Sequence, residues 1–272
     1  MQHYPASPRE MVATMWRNRR LLRALIQREV LGRYRGSFAG IVWSFFNPAI
    51  MLIVYTFVFG VVFKAHWGSG TESRSEFALV LFAGLMVFNL FAECVNRAPA
   101  SILANVGYVK RVVFPLEILP GVALGSALFH ATISLIVWLA AYFVMFRQVH
   151  VTVMLLPLVL LPLIMLILGL TWALASLGVY LRDMSQIVGM AVTALMFLSP
   201  IFYPANALPH AYQYVLYLNP LTPIIEQVRD VLFWGRAPET SVLLLNLLGT
   251  TLAAWLGFAW FQKTRRGFAD VV

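Results

Sequence analysis

Few side chains in this 272-residue chain are of types that make or break bonds, and their spacing scatters them. The five histidines, His3, His66, His130, His150 and His210, lie far apart, and Cys94 is the sole cysteine, so neither a metal cluster nor an intramolecular disulfide is available. No H-E-x-x-H, paired-cysteine or G-x-S-x-G pattern occurs. None of the three lysines follows a glycine, which removes the G-x-x-x-x-G-K-[ST] loop that cradles nucleotide phosphates. These residues predict no catalytic site, no metal and no cofactor on the chain. Proton or ion coupling needs ionisable groups at mid-membrane depth. The candidates reduce to Glu117, at the entrance of an apolar tract, and His130 inside one.

The elements that would position these groups are membrane spans. Hydrophobic residues make up 61% of the chain and charged residues 11%, with a mean hydropathy of +0.80; a soluble domain carries about 25% charged residues. That balance predicts an all-α integral membrane protein, one polytopic domain over residues 1–272. Six tracts are long and apolar enough to cross: 38–63, 77–95, 114–146, 151–181, 184–203 and 241–261. Pro120, Pro157 and Pro162 suggest kinks or tilted beginnings in the third and fourth. The N-terminus shows no apolar core of signal-peptide length.

Fifteen of the twenty lysines and arginines fall on the side that holds both termini, which predicts cytoplasmic termini by the positive-inside rule. Because those charges flank spans and do not form an aromatic-interleaved soluble face, the net charge of +9 does not indicate nucleic acid. Over residues 9–35, Met11, Met15, Leu22, Leu25 and Ile26 share one helical face, and Arg9, Arg17, Arg20, Arg23 and Arg28 the other. This is the pattern of an interface helix that meets anionic lipid or an acidic partner.

Two further stretches depart from simple spans. Residues 98–106 predict a short surface helix in the loop after the second tract, followed by Lys110 and Arg111. Residues 204–240 are too apolar for a solvated loop; runs 211–218 and 221–234, divided by Asn219-Pro220, predict two short helices at the outer interface or dipping into the membrane. Inside the first tract, Asn47-Pro48 is a polar break in an otherwise apolar run, where proline removes one backbone hydrogen bond.

The stretches "LGRYRGSFAGIVWSFFNPAIMLIVYTFVFGVVFK", "NVGYVKRVVFPLEILP", "YLRDM", "LSPIFYP" and "LNPLTPIIEQVRD", in this order, resemble the type-2 ABC transporter permeases of bacterial polysaccharide export, the O-antigen exporters beside their capsule and teichoic-acid relatives. The resemblance implies a homodimer in the bacterial inner membrane, paired with two copies of a nucleotide-binding ATPase subunit that holds the ATP and Mg. Its substrate would be a polysaccharide linked to undecaprenyl diphosphate; a small-molecule drug exporter of the same superfamily is the rival reading.

The likeness also assigns roles. Arg97, Ser101, Asn105, Tyr108, Lys110, Arg111, Arg182 and Asp183 would couple to the ATPase. Arg33 and Arg35 would meet the lipid diphosphate at the rim. Trp43, Phe45, Asn47, Phe88, Phe91, Phe197, Ser199 and Tyr203 would line the channel with aromatic platforms and neutral hydrogen-bonding groups, as a sugar path requires. Tyr212, Tyr214, Tyr217, Asn219 and Pro220 would form the periplasmic gate.

Overall fold

The structure, a computed structural model, describes residues 5–62, 74–109, 114–207 and 209–271. Lys110 and Arg111 lie outside the described residues. Among those described there is helix and no strand. In chain order the helices are α1 (Pro8–Arg17), α2 (Arg19–Tyr34), α3 (Trp43–Tyr55), α4 (Arg74–Arg97), the single turn α5 (Val106–Val109), α6 (Leu119–Phe146), α7 (Leu156–Tyr180), α8 (Met184–Phe197), α9 (His210–Leu218), α10 (Leu221–Arg229), α11 (Thr240–Thr264) and α12 (Phe268–Val271).

Five helical segments among the described residues are long and apolar enough to cross a bilayer: Gly40–Phe59, Glu76–Arg97, Leu116–Phe146, Val151–Tyr180 and Thr240–Gly267. The fifth tract of the sequence reading, 184–203, departs from expectation. Its helix α8 has 14 residues, about 21 Å of rise against a hydrocarbon core of about 30 Å. The chain then turns through Leu198–Tyr203, where Pro200 cannot continue a helix.

Helix α4 is the hub: 78% of its apolar window is buried, against 6% for the span containing α3. Its side chains from Phe77 to Val95 share one core with α6, α7, α8 and α10. Trp138 of α6, fully buried, donates its indole N–H to the Leu79 carbonyl at 2.9 Å, tying α6 to α4. Helices α7 and α11 touch backbone to backbone, since a Cβ on Gly257 would lie 2.1 Å from the Gly169 oxygen. Small residues at such crossings are how membrane helices gain close van der Waals contact without a hydrophobic driving force.

The predicted interface helix is two helices. Ser7 caps α1 by accepting from the Glu10 amide, Pro8 occupies the first turn, and the run breaks at Asn18, whose side chain donates back to the Thr14 carbonyl. The expected apolar face is the one that packs: Met11 and Leu25 are buried, and Met15, Leu22 and Ile26 lie against the core around Ile118 and Val122. Arg9, Arg17, Arg20, Arg23 and Arg28 are exposed. Pro120 and Pro157 sit in the first turns of α6 and α7, where no amide partner is lost, so they begin helices and do not kink them; Pro162 alone lies inside α7.

Candidate functional site

Three polar loci interrupt the apolar bundle. The first is a cavity of 680 Å³ bounded by the end of α2 and by α3, α4 and α6. Helix α2 delivers Arg33 and Tyr34, and α3 brings Trp43, Ser44 and Asn47. Helix α4 presents Asn89, Glu93 and Asn96, and α6 His130 and Ser134. Spacing explains the α4 wall: positions 89, 93 and 96 follow the i, i+4, i+7 rule and share a face, while Phe88 and Phe91 point into the core at 3% and 2% exposure.

Charge in this cavity is organised around Glu93. Arg33 donates through Nη2 to its Oε1 at 2.6 Å. His130 Nδ1 lies 2.9 Å from Arg33 Nη1 and 3.3 Å from the same carboxylate oxygen. Arg97, one turn further along α4, pairs with Glu29 of α2. A charge near the membrane interior is stable only when partnered. Single pairs this exposed contribute little, so their effect is to hold α2 against α4 and α6.

Asn47-Pro48 belongs to the same cavity. Helix α3 runs through Pro48, which lacks the N–H that would bond the Ser44 carbonyl, and Asn47, Pro48 and Ser44 face the polar space. The regular α-helix gives way later, to wider π-turns over Thr56–Val62.

The second locus lies at the end of the bundle carrying both termini, the terminal face. Glu117 is buried; its carboxylate accepts from Thr14 Oγ1 at 3.0 Å and pairs with Arg265, which also donates to the Phe114 carbonyl at 2.9 Å. Trp172 donates to the Glu117 carbonyl at 2.9 Å. Helix α1, the start of α6, α7 and the end of α11 therefore meet at one residue, Glu117. Glu117 is a structural ion pair, and that accounts for an acid at the mouth of an apolar tract.

The described residues expected to couple to an ATPase lie at the end of α4, in the loop after it and in the turn between α7 and α8. The predicted surface helix at 98–106 is instead a run of turns, a 3₁₀ turn at Leu103–Asn105 and α5. Ser101 donates to the Ala98 carbonyl and Asn105 to Ser101, so both side chains fold the loop back on itself. Tyr108 stacks on Phe114 with ring centroids 4.2 Å apart and accepts from Arg28 at 2.7 Å. Arg182 and Asp183 are exposed in the turn between α7 and α8.

The third locus is at the opposite end. Ser199 is fully buried, donates to the Leu195 carbonyl and accepts from Asn219 Nδ2 at 2.8 Å. Tyr203 donates to the Phe197 carbonyl at 3.0 Å. Asn219 also accepts from the Leu221 amide, turning the chain at Asn219-Pro220 between α9 and α10, the division the sequence predicted. Beneath it Arg229, 3% exposed, donates to the carbonyls of Val80, Pro200 and Ile201. The absence of a side chain at Gly84 makes room for it, as a Cβ there would lie 2.6 Å from Nη2. Burial raises Glu226 above the usual carboxylate range, opposed by its hydrogen bond with Tyr217 and by Arg229.

The expected channel set thus divides. Trp43 and Asn47 face the polar cavity, while Phe88 and Phe91 are corrected to core. Phe45 and Phe197 are exposed on other surfaces, and Ser199 and Tyr203 belong to the third locus. Arg33 is held by Glu93, whereas Arg35 is exposed. Tyr214 and Tyr217 are exposed on α9 with Asn219 and Pro220 at its end; the side chain of Tyr212 lies outside the described residues. Asn89, Asn96 and Ser134 were not anticipated, although the i, i+4, i+7 polar spacing in an apolar helix was legible. Arg229 was missed, because sequence gives no sign that a cation will cap three distant carbonyls.

The family model of ABC-2 type transporters matches residues 20–233, which include α3, α4, α6, α7, α8 and all three loci apart from Thr14 and Arg265. The chain belongs to the ABC-2 type transporter family. Within that family it is 28% identical over 264 residues to the O-antigen export system permease protein RfbA of Myxococcus xanthus, covering 96% of this chain and 99% of that protein. An O-antigen export system permease protein RfbA of Klebsiella pneumoniae is 24% identical over 93% of this chain and 95% of its own length. The polysialic acid transport protein KpsM of Escherichia coli is 27% identical over 88% and 91%.

Proposed function

We propose that this chain is the transmembrane permease subunit of an ABC transporter that exports an undecaprenyl-diphosphate-linked polysaccharide, foremost O-antigen, across the bacterial inner membrane. The observation that carries the reading is the end-to-end similarity to an O-antigen export permease. The polar, aromatic-edged cavity set among apolar spans supports it. Similarity to a polysialic acid transport protein keeps a capsule-type glycan as the second reading.

In this account the chain works as a homodimer with two copies of a separate ATPase, which binds ATP and Mg, and the permease hydrolyses nothing itself. Both termini face the cytoplasm, so the terminal face meets the ATPase through the arginine face of α1 and α2 and through Arg97–Tyr108, Lys110, Arg111, Arg182 and Asp183. Helix α8 with the turn after it forms a sixth crossing, and α9 and α10 form a reentrant periplasmic gate hinged at Asn219-Pro220. The Glu117–Arg265 pair makes α1, α6, α7 and α11 move as one body when nucleotide closes the ATPases. Arg33 and Arg35 offer guanidinium groups to the lipid diphosphate.

Capture of the tagged chain from its native membrane in mild detergent, with mass spectrometry of what accompanies it, tests the reading. A stoichiometric subunit with a phosphate-cradling ATPase loop is the expected result. A folded, monodisperse chain without one, or ATP hydrolysis by the pure chain, overturns it.

A further inference from the structure

The seam between α3 and α6 carries two spaces of opposite chemistry, end to end. Nearer the terminal face is the polar cavity. Further along the same helices lies a groove of 600 Å³, walled by Leu52 and Ile53 of α3, by Phe57 of the π-turns that follow it and by Ala140, Val144 and Met145 of α6, with Thr56 its one polar residue. A smaller space that includes Asn47, Met51, Tyr55, His130 and Ser134 continues the polar cavity along α3 toward the groove, whose first residue on that helix is Leu52. Both volumes fall in the range of small-molecule sites, about 300–1,000 Å³.

The polar end is built for hydroxyls more than for bare phosphate. Asn47, Asn89 and Asn96 each carry an amide with donors and an acceptor, and Trp43 supplies a ring face. The arginine among the lining residues, Arg33, is already engaged with Glu93. One contact is nonetheless divided. His130 Nδ1 is within reach of both the Arg33 donor and the Glu93 acceptor, and one nitrogen cannot accept from the first and donate to the second at once. Arg33 therefore has a partner it can exchange for an incoming anion.

Resting on the export reading, we propose that the α3–α6 seam is a binding site for one lipid-linked saccharide: its hydrocarbon chain lies in the apolar groove, its phosphate link at the level of His130, and its first sugar against Trp43 and Asn96. The site lies within one protomer, so it needs no residue from a second copy. The ligand enters sideways from the bilayer, tail along α3 and head toward the terminal face.

The test uses the purified full chain, with any ATPase that accompanies it, in nanodiscs of phosphatidylethanolamine. The probe is a synthetic polyprenyl diphosphate bearing N-acetylglucosamine, with sugar-free polyprenyl diphosphate and phosphatidylglycerol as competitors, read by native mass spectrometry. Ala140→Phe fills the groove, Asn96→Leu removes a sugar contact, and Leu245→Phe, on an exposed face of α11, is the control. The first two are expected to weaken probe binding about tenfold each and the control not at all, with the sugar-free lipid competing about tenfold less well than the probe. Continued protection of Cys94, the buried sole cysteine, shows that each variant is folded.

Unchanged binding in both folded variants, or displacement by phosphatidylglycerol as effective as by the probe itself, overturns the site. Equal competition by the sugar-free lipid overturns the sugar contact. Surface polysaccharide, scored in cells deleted for the gene and complemented with wild type, reports separately on export, so the site can fail while that reading stands.

Discussion

Replacing Glu117 with Gln removes the charge from the terminal face and leaves its shape. The two partners are nearly dry, with side-chain exposures of 8% for Glu117 and 10% for Arg265. Gln can still accept from Thr14, so the loss isolates the ion pair. Arg265 is left with the Phe114 carbonyl and cannot shed its proton. One-sided removal of a buried pair costs about 3–5 kcal/mol. At about 2–4 °C per kcal/mol for a chain of this size, the melting temperature should fall by about 10 °C. Labelling of Cys94 by a thiol-reactive fluorophore during heating in detergent reads this directly, since the fully buried thiol reacts only when the bundle opens. The double variant Glu117→Leu, Arg265→Met strands no charge and should recover most of the loss. A Glu117→Gln protein melting within about 1 °C of wild type, or a double variant as weak as the single, refutes the assignment of this pair as what locks the face.

The same assay serves four more substitutions. Gly84→Ala forces the Arg229 guanidinium off its carbonyls and should cost about 1–3 kcal/mol, whereas Gly189→Ala, with nothing within 4 Å, should be silent; equal melting of the two contradicts the Arg229 anchor. Gly257→Ala drives a methyl group into the Gly169 backbone, which cannot yield as a side chain can, and should cost about 3 kcal/mol or more. Glu226 is raised by burial, so its contribution is full below the ordinary carboxylate range and is lost as pH rises through its raised pKa. Glu226→Gln should therefore melt near wild type in acid and above it at pH about 8, and a parallel pH dependence of the two proteins contradicts this.

How much of this was legible depended on periodicity. The apolar face of residues 9–35 was readable because five residues at helical spacing have one way to be buried, and Met11, Met15, Leu22, Leu25 and Ile26 take it. The break at Asn18 was not, since asparagine inside a helical pattern only becomes a boundary once its side chain bonds Thr14. Composition located the apolar tract at 184–203 but could not see the turn after Phe197, which depends on Ser199 finding Asn219 twenty residues later. Aromatic content suggested Phe88 and Phe91 as channel lining; the side of α4 that faces the cavity is instead marked by its polar residues, Asn89, Glu93 and Asn96. Pairings across long separations, Arg229 to Val80 or Arg265 to Glu117, leave no local trace in sequence.

The most direct measurement on the central claim uses inverted inner-membrane vesicles containing the chain and its ATPase, loaded with the lipid-linked polysaccharide of the host. The account predicts ATP-dependent movement of the glycan into the lumen, scored as protection from an added glycan-degrading enzyme, and its loss when the chain is absent. Glycan that stays accessible despite ATP hydrolysis by the complex, or that is protected equally without the chain, contradicts it.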